Sequence, residues 1–167
     1  IGKVKLTAIY CRWMCPIPPE EQGKTEKIKR FWSIMACWDE MGKLPEDDEV
    51  IVIKKHWNMH LDVHTPRLKK LQVYGKLIFD KEKSDLQINS ENIEIMDGGE
   101  IQVGSKDEPF EGKAVINLHG NTSSDTMTSE GDISPVQNAI LNKGKLSMFG
   151  QEVAHPWLRL TRKVIKG

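Results

Sequence analysis

The chain has 167 residues, 38% of them hydrophobic and 29% charged, a balance that suits one folded core and argues against a disordered chain. Its 24 acidic residues offset its 24 basic ones, so no net charge is available to hold nucleic acid as a main partner. No run of side chains reaches the roughly 18–20 apolar residues that a bilayer-crossing helix needs, and no membrane contact is expected of this stretch itself.

The chain opens on Ile1 with no signal-like stretch, as expected of a segment of a longer protein. Residues 4–10 alternate apolar and polar side chains like a strand, and the proline-rich, charged run from Cys15 onward marks a candidate boundary. Cys11, Cys15 and Cys37 are odd in number. A disulfide among them is expected, with the odd cysteine unpaired or paired outside this stretch, and the spacing lacks the second pair that a zinc site wants. Residues 25–41 allow two readings. Ile28, Phe31, Trp32 and Met35 follow a helical spacing, whereas a loop would lay Trp32 and Trp38 over one end of a core.

From Glu49 onward the pattern is β. Residues 50–53 (Val-Ile-Val-Ile) read as a strand buried on both faces. Leu68, Leu71, Val73, Leu77, Phe79, Leu86, Ile88, Ile93, Ile95, Ile101 and Val103 then continue an inward-facing set. Three short stretches repeat one another, centred on Gly75, Gly98-Gly99 and Gly144. Each is a corner feeding a strand with one apolar face, and glycine is expected there for its access to positive φ. Gly104, Gly120 and Gly150 mark further turns. The first two corners, Gly75 and Gly99, are 24 residues apart, which suits one turn of a stacked β-coil. The third lies 45 residues on, and the polar run 121–134 explains the extra length as a loop pushed out of the coil. The expected fold is mainly all-β, a short right-handed β-solenoid resembling a parallel β-helix, with an N-terminal helix or loop as cap. A two-sheet β-sandwich would show the same alternation.

The residues also resemble a known module. Trp32-Ser33, Trp38, Pro45 and the 50–53 run, then Leu61-Asp62, Leu71-x-Val73-x-Gly75-x-Leu77-x-Phe79 and Asp97-Gly98-Gly99, are similar to the eight-glycine (G-eight) domain. Gly104, Pro109-Phe110, Leu118-His119-Gly120, Leu146 through Gly150 and Trp157-x-Arg159-Leu160 complete the match, in a form closest to the fibrocystin-like branch. The resemblance implies a domain over residues 31–160, with 1–30 the tail of a preceding domain or a linker and 161–167 the start of a following segment. It also implies an extracellular or cell-surface address within a large secreted or membrane-anchored parent, and parallel β-helix repeats further along. Relatives of the family include a transmembrane hyaluronidase and the cell-migration-inducing hyaluronan-binding protein.

Candidate sites are sparse. His56, His60 and His64 recur every four residues, but strand geometry keeps the outer two too far apart to share one ion. The acidic runs 46–49 and 80–85 lack the spacing of a calcium loop. Asp97, Glu100, Asp107 and Glu108 offer the paired carboxylates of glycoside hydrolysis, although Asp97-Gly98-Gly99 is also what a tight turn requires. Trp57 is the aromatic expected at the surface, while Lys54, Lys55, Arg67, Lys69 and Lys70 make a basic strip beside it. An anionic polysaccharide such as hyaluronan is the ligand such a strip would take. Asn121-Thr122-Ser123 is an N-glycosylation acceptor. No catalytic residue, metal or cofactor is expected, since neither a nucleophile elbow nor a His-Glu-x-x-His motif is present. The function expected is therefore a non-catalytic structural or ligand-binding module. A contribution to a hyaluronan-binding or hyaluronan-degrading protein, and an adhesion role through sheet edges or the 121–134 loop, are the alternatives.

Overall fold

The computed structural model describes residues 29–38, 41–121, 124–127 and 137–152. The strand-like run 4–10 and the residues around Trp157 lie outside these. Ten strands occupy the described residues: β1 (Lys29–Phe31), β2 (Val50–Ile53), β3 (Asn58–Leu61), β4 (Arg67–Val73), β5 (Lys76–Phe79), β6 (Asp85–Ile95), β7 (Glu100–Val103), β8 (Lys113–Leu118), β9 (Ile140–Asn142) and β10 (Lys145–Met148). They form two sheets, one ordered β1-β3-β5-β7-β10 and the other β2-β4-β6-β8, with β9 also on β6. Every strand pairing is parallel. Hairpins would have made antiparallel ladders. Instead the chain passes from one sheet to the other and back, each pass lying in register on the one before it, and no barrel closes.

Alternation decides which side chains meet. In β3, β5 and β7 every second residue points inward and is buried, so Met59, Leu61, Leu77, Phe79, Ile101 and Val103 line one wall. Ile51, Ile53, Leu68, Leu71, Val73, Leu86, Ile88, Ile93 and Ile95 line the other, and the two sets form one hydrophobic cluster. β2 is buried on one face only, with Val50 and Val52 exposed, so the run 50–53 is not the doubly buried strand that its composition suggests.

The corner glycines serve a purpose other than the expected one. Gly75, Gly99 and Gly144 are absent from the positive-φ set; among the described glycines only Gly42, Gly98 and Gly104 have positive φ. What the corners demand is space. A Cβ on Gly75 would run into the carbonyl oxygens of Lys54 and Trp57, one on Gly99 into that of Val73, and one on Gly144 into those of Gly99 and Met96. The successive corners stack backbone on backbone. Lys76 N–H donates to Trp57 O at 2.8 Å, Glu100 N–H to Gly75 O at 2.9 Å and Lys145 N–H to Gly99 O at 2.9 Å.

The end carrying β1 and β2 is closed by aromatic side chains. There is no α-helix among the described residues: β1 lies where helical spacing was read, and only a 3-10 turn, Met35–Cys37, follows. The loop reading holds. Trp32 and Trp38 are buried edge to face with centroids 4.8 Å apart, and Trp38 meets Trp57 at 6.0 Å in the same manner. Trp38 Nε1 donates to Trp32 O at 2.9 Å. The Arg30 guanidinium lies 4.4 Å from the Trp57 ring centre and donates to Cys37 O. Cys37 is fully buried and disulfide-bonded, with its partner outside the described residues.

The opposite end differs. Ala114, Ile116, Leu118, Ile140 and Leu146 face the core yet are only partly buried, while Met148 and Phe149 are exposed. Within the described residues no strand lies on the outer edges of β8, β9 or β10.

Candidate functional site

The most built-up surface lies where the last pass is interrupted. β6 is long, and its pairing with β4 is interrupted at Glu91. Leu68 pairs with Ser90 and Lys70 with Asn92, while Lys69 and Glu91 have no partners in the register. On the other side of β6, β8 covers Asp85–Ser90 and β9 covers Ile93–Ile95. The chain therefore leaves the sheet after Leu118 and returns at Ile140, an excursion opposite Glu91 and Asn92. Its described residues, 119–121, 124–127 and 137–139, reach beyond both ends of the 121–134 loop expected from composition.

The excursion is tied down at its base. His119 N–H donates to Ser90 O at 2.9 Å, and Arg67 Nη2 donates to His119 O at 3.0 Å. Gly120 N–H donates to Asn138 Oδ1 at 3.0 Å, joining the outgoing and returning strands. Asn121 and Ser124 form a turn, with Asn121 N–H on Ser124 Oγ at 2.9 Å and Ser124 N–H on Asn121 O at 3.0 Å. Asn92 is fully buried beneath and donates its amide to Asp125 O at 2.8 Å. Its Oδ1 has no partner among the described residues. Met127 is buried as the apolar anchor. Beside it, Asn117 Nδ2 donates to Asn89 Oδ1 at 2.9 Å and Asn89 Nδ2 to Thr65 O at 2.9 Å, continuing a polar ladder across three passes. Composition alone could not single out Asn89, Asn92, Asn117 and Asp125, because what distinguishes them is pairing across 24 to 33 residues.

Asp48, Lys69, Glu91, Asn121, Ser124 and Asp125 surround a cavity of about 260 Å³ at this place. Asp48 holds a positive φ of 62°, uncommon for a side chain other than glycine, and its N–H donates to Arg67 O at 2.8 Å. The Lys69 ammonium meets the Asp125 carboxylate at 3.0 Å, and that hydrogen bond raises the Lys69 pKa.

The proposed basic strip does not assemble. Trp57 is 3% exposed and packs within the aromatic cap, so its face is closed to a sugar ring. Its position at the first corner, under Arg30 and Trp38, explains this. Lys54 lies 5.4 Å from the Trp57 ring and Lys55 is exposed. Arg67, Lys69 and Lys70 sit on β4, away from that corner, and all three are ion-paired: Arg67 with Glu91 at 3.7 Å, Lys69 with Asp125, and Lys70 with Glu94 at 3.3 Å. Lys54 and Lys55 stay at one end of the β2–β4 ladder and Arg67 at the other.

Two of the four carboxylates around the second corner, Glu100 and Glu108, are also committed. Burial pushes the Glu100 pKa up, but the hydrogen bond from Lys145 at 3.0 Å and the charge of Lys76 at 3.3 Å outweigh it and hold the carboxyl below its usual range. That is the wrong direction for a general acid. Glu108 pairs with Lys81 at 2.9 Å. His56, His60 and His64 fall on a turn, a strand and a loop. Burial, reinforced by the charge of Lys29, lowers the His60 pKa to about 4, leaving the ring neutral beside Phe31. No group of three metal-binding side chains occurs among the described residues.

Among the turn glycines, Gly98 has positive φ with open space around it. Gly104 combines positive φ with crowding by Phe149 O and Phe110 N, Gly120 packs on Asn138, and Gly150 bridges Phe110 with nothing close to its Cβ position.

The G8 domain profile matches residues 37–161, and the chain belongs to that family. Human fibrocystin-L is 37% identical over 138 residues, covering 81% of this chain and 3% of the relative. Mouse fibrocystin-L is 36% identical over 137 residues, with the same coverage. Dog fibrocystin is 32% identical over 120 residues, covering 71% of the chain and 3% of its own length. The chain thus corresponds to a small part of these large relatives. No helix among the described residues is long and apolar enough to cross a membrane.

Proposed function

We propose that this chain is an extracellular structural module of a large fibrocystin-like protein, a short β-solenoid on which further β-coils stack. One observation carries the reading: the two ends of the stack are unlike. Three buried tryptophans and Arg30 close one end, whereas the other leaves Ala114, Ile116, Leu118, Ile140 and Leu146 half buried beside unpaired parallel edges, among the described residues. A parallel edge with an open apolar core is what the next coil of a solenoid needs, and solenoids require a cap wherever they stop. The Cys37 disulfide supports an oxidising compartment, and so an extracellular address. The small share of the relatives' length supports a module within a longer chain.

The test compares this chain with one lengthened by the parent's following residues. The lengthened chain is expected to unfold at a higher temperature and to sediment as a monomer. Equal melting temperatures would contradict the proposal. Pairing of two copies through β8 and β10 would instead support the adhesion reading.

A further inference from the structure

The outer face of β5, β7 and β10 carries one row of charge. Lys76, Glu100 and Lys145 lie in register on the three strands. Glu100 gives one oxygen to each neighbour, Oε2 to the Lys76 ammonium at 3.3 Å and Oε1 to that of Lys145 at 3.0 Å. The side chains of Lys76 and Glu100, with a strand on either side, are 26% and 20% exposed, whereas that of Lys145 on the last strand is 68% exposed. The backbone stops at the same place. Gly75 O accepts from Glu100 N–H and Gly99 O from Lys145 N–H, each at 2.9 Å, while Gly144 O has no donor among the described residues. We propose that the edge of β10 takes a parallel strand that begins Gly-Asp or Gly-Glu, with its carboxylate seated on Lys145; this rests on the stacked-coil reading above and specifies the coil that reading requires.

Each feature of that strand follows from the pass beneath it. The residue over Gly144 is glycine, because every corner closes on a carbonyl of the pass below: a Cβ on Gly75 meets Lys54 O, one on Gly99 meets Val73 O, and one on Gly144 meets Gly99 O. The N–H that follows the new glycine donates to Gly144 O, as those of Glu100 and Lys145 donate to the corners beneath them. The side chain on that residue is acidic, since opposite charges facing each other across strands attract, and another lysine would set like charges side by side. The next residue and the one two further on are apolar. They cover Leu146 and Met148, which stand in register on the buried Ile101 and Val103 although Met148 itself is exposed. The occupant is the parent's next coil and not a second copy of this chain. Among the described residues the one strand entered through Gly-Glu is β7, which already lies between β5 and β10 and has no edge to offer.

The experiment uses the chain lengthened by the parent's following residues, with the residue after the corner glycine on the β10 edge set to Glu, Gln and Lys in turn. The melting temperature is expected to fall in that order, by a few degrees across the series. The spread is expected to narrow at high salt and to vanish when Lys145→Gln is added. A lengthened chain that melts above the present one, but with Lys equal to Glu or better, would overturn the charge assignment and leave coil stacking standing. A spread that survives Lys145→Gln would overturn it in the same way. Lengthened chains that melt no higher than the present one with any of the three residues would overturn the stacked-coil reading itself.

Discussion

Single residues in this fold are chosen for what their neighbours leave room for. Gly98 and Gly99 are adjacent and chemically identical, yet they answer to different constraints. Gly98 has a φ of 76° with nothing near its Cβ position, whereas Gly99 lies with its Cβ position against the Val73 carbonyl. Asparagine tolerates the left-handed region, so Gly98→Asn is expected to cost under about 1 kcal/mol. Gly99→Ala forces two stacked backbones apart and is expected to cost about 3 kcal/mol, at the upper end of overpacking effects. Urea unfolding of both variants measures this, and equal costs would show that the corner is set by φ and not by stacking. The same contrast explains why glycine positions were legible in the sequence while their reason was not. A glycine codon marks a corner, but whether it answers to φ or to crowding depends on a strand 24 residues away. Trp57 was misjudged for a similar reason: flanking charges suggested exposure, and only the tertiary placement of Arg30 and Trp38 buries it.

At the scale of elements, the alternation within each strand was readable because side-chain direction on a strand depends on sequence parity alone. Phe31 through Met35 misled because a short strand followed by a tight turn places apolar residues at spacings that a helix also produces. The break in the β4–β6 register at Glu91 was not readable either. It falls between the stretches of β6 that pair with β8 and with β9. Cutting the 21 residues between Leu118 and Ile140 to two, the number between Ser90 and Ile93, recovers roughly 2 kcal/mol of loop-closure entropy at about 0.6 kcal/mol per doubling. Losing the buried Met127 costs about 1.5–3 kcal/mol. The two nearly cancel, but the buried Asn92 amide loses its Asp125 acceptor, at about 1–3 kcal/mol. The shortened chain is expected to unfold cooperatively with a melting temperature lower by roughly 2–12 degrees. A shortened chain with no cooperative transition in circular dichroism would mean that the excursion is required for the stack to form.

For the whole molecule, the account rests on a stack closed at one end by aromatic side chains and open at the other. Parallel register makes each pass the template for the next, so protection is expected to follow position in the stack and not position in the chain. β4, β5 and β6 have neighbours on both sides and fully buried inward side chains, while β8, β9 and β10 have a neighbour on one side only among the described residues. Native-state hydrogen exchange on this chain reads that order directly, because exchange tracks the free energy of local opening. The account predicts the slowest exchange for amides of β4, β5 and β6, intermediate rates near the tryptophan cap, and the fastest strand exchange in β8, β9 and β10. Uniform protection across all ten strands, or slowest exchange in β8 and β10, would contradict an open end awaiting a further coil.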